Sequence, residues 1–287
     1  MNTKVCAVVV TYNRVKLLEK CISSLKNQTR KIERIIVVNN GSTDGTLNWL
    51  EKQSEVEVIN QENIGGAGGF HTGIKGALDK PCDWIWVMDD DVAPDKNCLI
   101  EQLKYQNYSE CIHPTKKLEN GENYCWEHSM DLASGSRTVL PNISFKNGKE
   151  IVYTNVACFE GMLISRRIVE IIGLPDVKYF ICEDDTLYGF KASLYTNVSY
   201  ISSAVIYKLI PLGIQAPWKN FYMLRNKFYL YKDAIDFANI KISKYNKGIF
   251  ILVQFISLIR QFKYGIKYIL PSIRGFNSGI YYMFSKK

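Results

Sequence analysis

The sequence is poor in the residues that mark several common protein classes. It holds only three histidines, and its eight cysteines include no CxxC pair, which argues against a zinc module built on paired thiolates. Cys6, Cys21, Cys82, Cys98, Cys111, Cys125, Cys158 and Cys182 are scattered, several inside apolar runs. Buried free thiols sit this way, so a reducing compartment is expected and a disulfide framework is not. Cys125 with His128 supplies one pair of ligands and no complete zinc set. No run of about 18 to 20 apolar residues occurs, so no membrane-spanning helix is expected. The opening stretch, MNTKVCAVVVTYNR, has no basic n-region and no long apolar core, unlike a signal peptide.

Acidic residues also run out. After Asp236 there is none, against nine basic ones: Lys241, Lys244, Lys247, Arg260, Lys263, Lys267, Arg274, Lys286 and Lys287. The net charge of +8 therefore belongs to the tail, and the chain before it is close to neutral. What remains is ordinary for a globular protein: 287 residues, 47% of them hydrophobic, enough to bury a substantial core.

The first hundred residues alternate between two patterns. VCAVVV, RIIVVNN, VEVIN and DWIWVMDDD read as short buried strands. Between the first two, Leu17, Leu18, Cys21, Ile22 and Leu25 recur at helical spacing. GSTDGT supplies turn residues and a cap before TLNWLEKQ, and NIGGAGGFHTGIKGAL leads a glycine-rich loop into a helix. Strand and helix alternating in this way predict a mostly parallel sheet with helices on both faces. Ligands of such sheets bind beyond the carboxyl ends of the strands, where Tyr12-Asn13, Asn39-Asn40 and Asp89 to Asp91 fall. Residues 111–150 are polar and turn-rich, and read as irregular loops and a hairpin over the site. IVYTNVACFEGMLISRRIVEIIG restores a strand, a turn and a helix; VSYISSAVIYK is a further strand, and WKNFYMLRNKFYLYKDAIDFA a helix.

Asp89-Asp90-Asp91 ends an apolar strand, and three adjacent carboxylates repel one another unless a cation compensates. A hard divalent cation, Mg2+ or Mn2+, would take such oxygens together with a diphosphate; a solvated acidic turn is the plain alternative. Glu183-Asp184-Asp185 is a second acidic cluster at a helix start. The helix dipole alone favours carboxylates there. A general base that takes the proton of an attacking hydroxyl is the functional reading, and Asp185 is favoured for it.

In order, VVVTYNR, VVNNGSTDGT, NIGGAGGF, WVMDDDV and EDDTLYGFKA resemble inverting family-two glycosyltransferases, which use nucleotide sugars; the match covers about Val5 to Lys208. GGAGGF, the triple Asp, EDD and the later FYMLRNKFY look most like galactofuranosyltransferases, with rhamnosyltransferases as near neighbours. The resemblance implies an α/β GT-A (Rossmann-like) nucleotide-sugar-binding fold over residues 1–236, followed by a basic helical extension over 237–287. It implies that Thr11, Tyr12 and Asn13 line the nucleotide pocket, with Arg14 near the diphosphate. Asn40, where the family usually has Asp, would contact uracil or ribose, and Asn63, Gly66 and Gly69 would border the donor. Asp89 and Asp90 would hold ribose and donor sugar, and Asp91 the metal. Asp185 would be the catalytic base, and Asp184 would touch acceptor or donor sugar. Trp84 and Trp86 are read as core. Family members often carry a metal-binding His where this chain has Lys208. A protonated lysine cannot ligate a metal, so Lys208 is expected on the diphosphate, with metal dependence weakened.

The implied reaction is inverting transfer of galactofuranose from UDP-galactofuranose, or of rhamnose or a hexopyranose, to a lipid-linked or polysaccharide acceptor. The tail GIFILVQFISLIRQFKYGIKYILPSIRGF mixes apolar and basic residues. It reads as an amphipathic segment on an anionic membrane surface, at the cytoplasmic face of the cell membrane, or else as a packed helix pair. No nucleic-acid motif accompanies the charge. A homo-oligomer stays open, and a nucleotidyltransferase or a non-catalytic sugar-nucleotide-binding module are the alternatives from other classes.

Overall fold

The computed structural model describes residues 3–124, 128–139, 149–210, 213 and 215–285. At its centre is β1 (Val5–Thr11), buried along its whole length. It lies between β2 (Arg34–Asn39) and β4 (Trp84–Asp89), and β3 (Val56–Asn60) follows β2, all in parallel. The pleat sorts the side chains of β1. Val5, Ala7 and Val9 pack with Leu18, Cys21, Ile22 and Leu25 of α1 (Val15–Lys26), while Val8 and Val10 pack with Phe70 and Ile74 of α3 (Gly65–Leu78). Glycine makes the second contact close: a Cβ on Gly69 or Gly73 would stand 2.4 Å from a methyl of Val10 or Val8. A short helix, α2 (Thr46–Leu50), follows the turn after β2.

Beyond β4 the sheet becomes mixed. β10 (Glu160–Ser165) runs antiparallel between β4 and β6 (Cys111–Leu118). β11 (Val198–Lys208) pairs parallel with β6 and antiparallel with β5 (Val92–Pro94) and β9 (Ile151–Thr154). The expected parallel sheet thus holds for the N-terminal half, and helices cover both faces. β6 corrects the expectation of irregular chain after Cys111. Its Pro114 and paired lysines disguise an interior strand, whose Lys116 is buried against Glu160. The expected hairpin is present as β7 (His128–Asp131) and β8 (Ser136–Val139). Cys125 and most of LPNISFKNGKE lie outside the described residues. The seven described cysteines are all free. Trp86 is wholly buried, its indole N–H donating to Gly161 at 3.1 Å, and Trp84 is core as expected.

Helices α4 (Cys98–Leu103), α5 (Arg166–Ile172) and α6 (Asp184–Ser193) complete the α/β body. α7 (Lys219–Ala238), α8 (Lys244–Ile259) and α9 (Ile266–Phe284) follow. Phe228 of α7 meets Phe250 and Phe276 edge-on at 5.3 Å each, so the three helices share one aromatic core. The division expected after residue 236 falls in the last turn of α7. Among the described residues no helix is long and apolar enough to cross a membrane.

Candidate active site

A cavity of about 540 Å³ opens at the carboxyl ends of β1 and β4. Asp89, Asp91, Asp184 and Asp185 all line it, and so do Arg14, Gly66 and Lys208. The two acidic clusters, far apart in sequence, therefore face one space.

The wall at β4 is a chain of alternating charge. The Thr11 hydroxyl donates to Asp90 Oδ2 at 2.7 Å, and Arg14 Nη1 donates to Asp90 Oδ1 and Asp91 Oδ2 at 3.1 Å each. Lys208 Nζ donates to Asp91 Oδ1 at 2.8 Å and to Glu160, whose other oxygen pairs with Lys116. Burial pushes Asp90 up to about 6, because the Arg14 and Thr11 contacts offset only part of the desolvation. Burial acts on Glu160 in the same direction, but Lys116 and Lys208 outweigh it and hold the carboxyl down to about 2. Burial opposes the charge of Lys208 too, and Glu160 and Asp91 outweigh that, keeping it an ammonium. Asp89 has no hydrogen-bond partner for its carboxyl among the described residues, and burial together with Asp91 raises it well above the usual carboxylate range.

Oxygens of Asp89, Asp91 and Glu160 lie within 4.8 Å of one another. Three carboxylates at that spacing, one of them without a hydrogen-bond partner among the described residues, suit a hard divalent cation that takes oxygen ligands. Lys208 already contacts two of the three.

The opposite wall is the start of α6. The backbone before it is bent through left-handed conformations at Phe180, Cys182 and Glu183, with φ of 63°, 70° and 69°. Non-glycine residues hold such angles only under external restraint. Here Asn226 of α7 reaches in, its Nδ2 donating to the carbonyls of Tyr179, Ile181 and Cys182 at 2.8–2.9 Å. Arg225 donates to the carbonyls of Lys178 and Tyr179. Glu183 turns away from the cavity into a two-pronged ion pair with Arg137 at 2.7 and 2.9 Å. Burial, then the charge of Asp185, pushes Asp184 up to about 8; burial, then the charge of Glu183, pushes Asp185 up to about 6.

Other expected residues brace the site. Asn40 is buried, with Nδ2 donating to Gly65 O at 2.9 Å and to Asn63, and Oδ1 accepting from Gln61 at 2.8 Å. Asn63 Oδ1 also accepts from the Gly65 amide at 3.0 Å. Asn13, at φ 53°, accepts from the Thr43 amide at 2.6 Å, while Tyr12 is exposed beside it. Gly69 packs on Val10, whereas Gly66 opens to the cavity. Glu160, Lys116, Arg137 and Asn226 were not singled out from sequence. The acid in CFEGML at a strand start was the one available hint.

Residues 6–170 match glycosyl transferase family 2. The chain belongs to that family. The galactofuranosyltransferase GlfT1 of Mycobacterium tuberculosis is 30% identical over 194 residues, covering 64% of this chain and 63% of that protein. GlfT1 of Mycolicibacterium smegmatis is 28% identical over 205 residues, with 63% and 62% covered. The dTDP-rhamnosyl transferase RfbF of Shigella flexneri is 25% identical over 248 residues, with 80% of each covered. The match thus spans somewhat less than two thirds of either GlfT1. Residues 1–349 of S. aureus TarS share the fold at a TM-score of 0.56 and 16% identity, covering 98% of this chain and 91% of that one. GalNAc-T7, solved with UDP, GalNAc and Mn2+, does so at 0.61 and 14%, covering 84% and 52%. The fold of this family-2 member is GT-A.

Proposed function

We propose that the protein is an inverting glycosyltransferase, moving a sugar from a nucleoside diphosphate to an acceptor hydroxyl. The observation that carries this is that Asp91 and Asp185, far apart in sequence, line one cavity. Asp185 takes the acceptor's hydroxyl proton; the oxygen attacks the anomeric carbon, and the bond from that carbon to the β-phosphate oxygen breaks. Asp184, whose carboxyl is raised above its usual range by burial and the charge of Asp185, lines the same cavity and would contact a sugar oxygen there. Arg14 and Lys208 line the same cavity and would offset the charge of the departing diphosphate. A divalent cation, Mn2+ or Mg2+, would be held by Asp89 and Asp91 with Glu160 in reach, and would supply Lewis-acid stabilisation of the same oxygens.

The GlfT1 relatives favour UDP-galactofuranose as donor, and RfbF makes dTDP-rhamnose the second choice. The acceptor is a lipid-linked or polysaccharide hydroxyl of a cell-surface glycan, and the basic tail favours a peripheral position on the cytoplasmic face of the membrane.

A panel of nucleotide sugars, monitored for nucleoside diphosphate release, tests the reading. One donor should stand out, and Asp185→Asn should lower its turnover by about 10²–10⁴-fold while donor affinity stays near wild type. Undiminished turnover in that variant would remove Asp185 from the chemistry.

A further inference from the structure

α8 faces the wrong way for a helix of an isolated globular domain. Phe250, Gln254 and Leu258 point inward. Leu252, Phe255, Ile256 and Ile259, spaced i, i+3, i+4, i+7, form a second apolar stripe, and all four are exposed. Phe262 in the turn that follows and Ile266, Leu270 and Ile273 in α9 are exposed as well, Ile266 at 83%. Scattered apolar residues on a surface need no explanation, but a continuous stripe at helical spacing does. Arg260, Lys263, Lys267 and Arg274 stand exposed along it, in no ion pair with the described residues, and the chain after Asp236 has no acid to balance them.

We infer that this face docks on an anionic lipid bilayer, and that docking turns the mouth of the reaction cavity toward the lipid. The charge decides between occupants. A second copy meeting the face about a two-fold axis would set these cations against themselves, whereas anionic headgroups complement them while the stripe enters the acyl boundary. The position of the face supports the second part. A further cavity, about 460 Å³, lies between α7 and the α8–α9 turn, lined by Met223, Gln261, Tyr264 and Tyr268; Gly213 and Gln215 line both it and the reaction cavity. The turn joining the two helices that carry the stripe and the space where Asp185 acts are thus neighbours across one wall. An acceptor carried by a lipid then reaches the base without leaving the bilayer. This deepens the transferase reading and rests on it only for the identity of what is delivered.

The test uses the full chain and vesicles of phosphatidylcholine, with and without phosphatidylglycerol. Sedimentation should show binding to the anionic vesicles alone, weakened at least about tenfold in Phe255→Ser/Ile259→Ser. Phe262→Trp should give indole emission that shifts to the blue on those vesicles and is quenched by doxyl-labelled lipid. Absence of binding, equal binding to neutral vesicles, or binding indifferent to the double substitution overturns the proposal. So does a wild-type dimer in size-exclusion chromatography that the double substitution converts to monomer, since the stripe would then be a protein contact. Release of nucleoside diphosphate without vesicles is measured in parallel. Failure of lipid binding with donor turnover intact removes docking alone, and the reverse removes the transferase reading.

Discussion

Asp184 and Asp185 begin the same helix, and their surroundings separate them. Both are held above the ordinary carboxylate range by burial, Asp184 further than Asp185. A base works only when ionised, so kcat/KM should rise with pH through about 6, the value to which Asp185 is pushed. Glu183 is the second cause of that elevation. Glu183→Gln removes its charge and leaves Arg137 without its carboxylate partner, and both changes favour the ionised form of Asp185. The acid limb of the pH profile should therefore move to lower pH in this variant. A limb that stays put would mean that another group controls it.

At the level of elements, the α6 wall depends on a helix that contributes none of the proposed chemistry. Asn226 of α7 ties three carbonyls of a strained loop, and nothing else among the described side chains shares that task with it except Arg225, which holds Lys178 and Tyr179. Asn226→Ala strands buried carbonyls, at about 1–3 kcal/mol for each left unsatisfied. Turnover should drop by more than about tenfold as the base shifts, with the melting temperature lower and donor affinity kept within about twofold, since Arg14 and the β4 carboxylates are untouched. Equal loss of donor affinity would point to general unfolding instead. Such roles mark the limit of what the chain discloses by itself. The ends of β1, β2 and β4 were legible because apolar runs stop abruptly at polar residues, and α6 because two carboxylates precede a helical period. Asn226 and Arg225 look like the solvated face of a helix, since nothing local shows which loop lies beneath. Lys116 looks like loop, because its carboxylate partner arrives only when β10 inserts between β4 and β6. Pairing of that range leaves no periodic trace.

Across the whole molecule, four separate strands bring their ends to one charge cluster. β1 leads to Arg14, β4 delivers the three aspartates, β10 begins with Glu160 and β11 ends with Lys208. The sheet order places the β10 and β11 contributions beside β4, so Lys208 Nζ stands against two of the three carboxylates suited to a cation. An ammonium there acts in two ways. It lowers the negative potential that would attract a divalent ion, and it occupies oxygens the ion would need. Lys208→Gln removes the charge while keeping a chain of similar length. Mn2+ titrated into the variant and followed by electron paramagnetic resonance should bind at least about tenfold more tightly than in the wild type, one unit of opposing charge at short range being worth that much or more. The measurement needs no donor and no turnover, so it reports on the cluster alone. Equal affinities in the two proteins would mean that Lys208 does not compete with the ion, and that its place in this site has to be explained by the diphosphate alone.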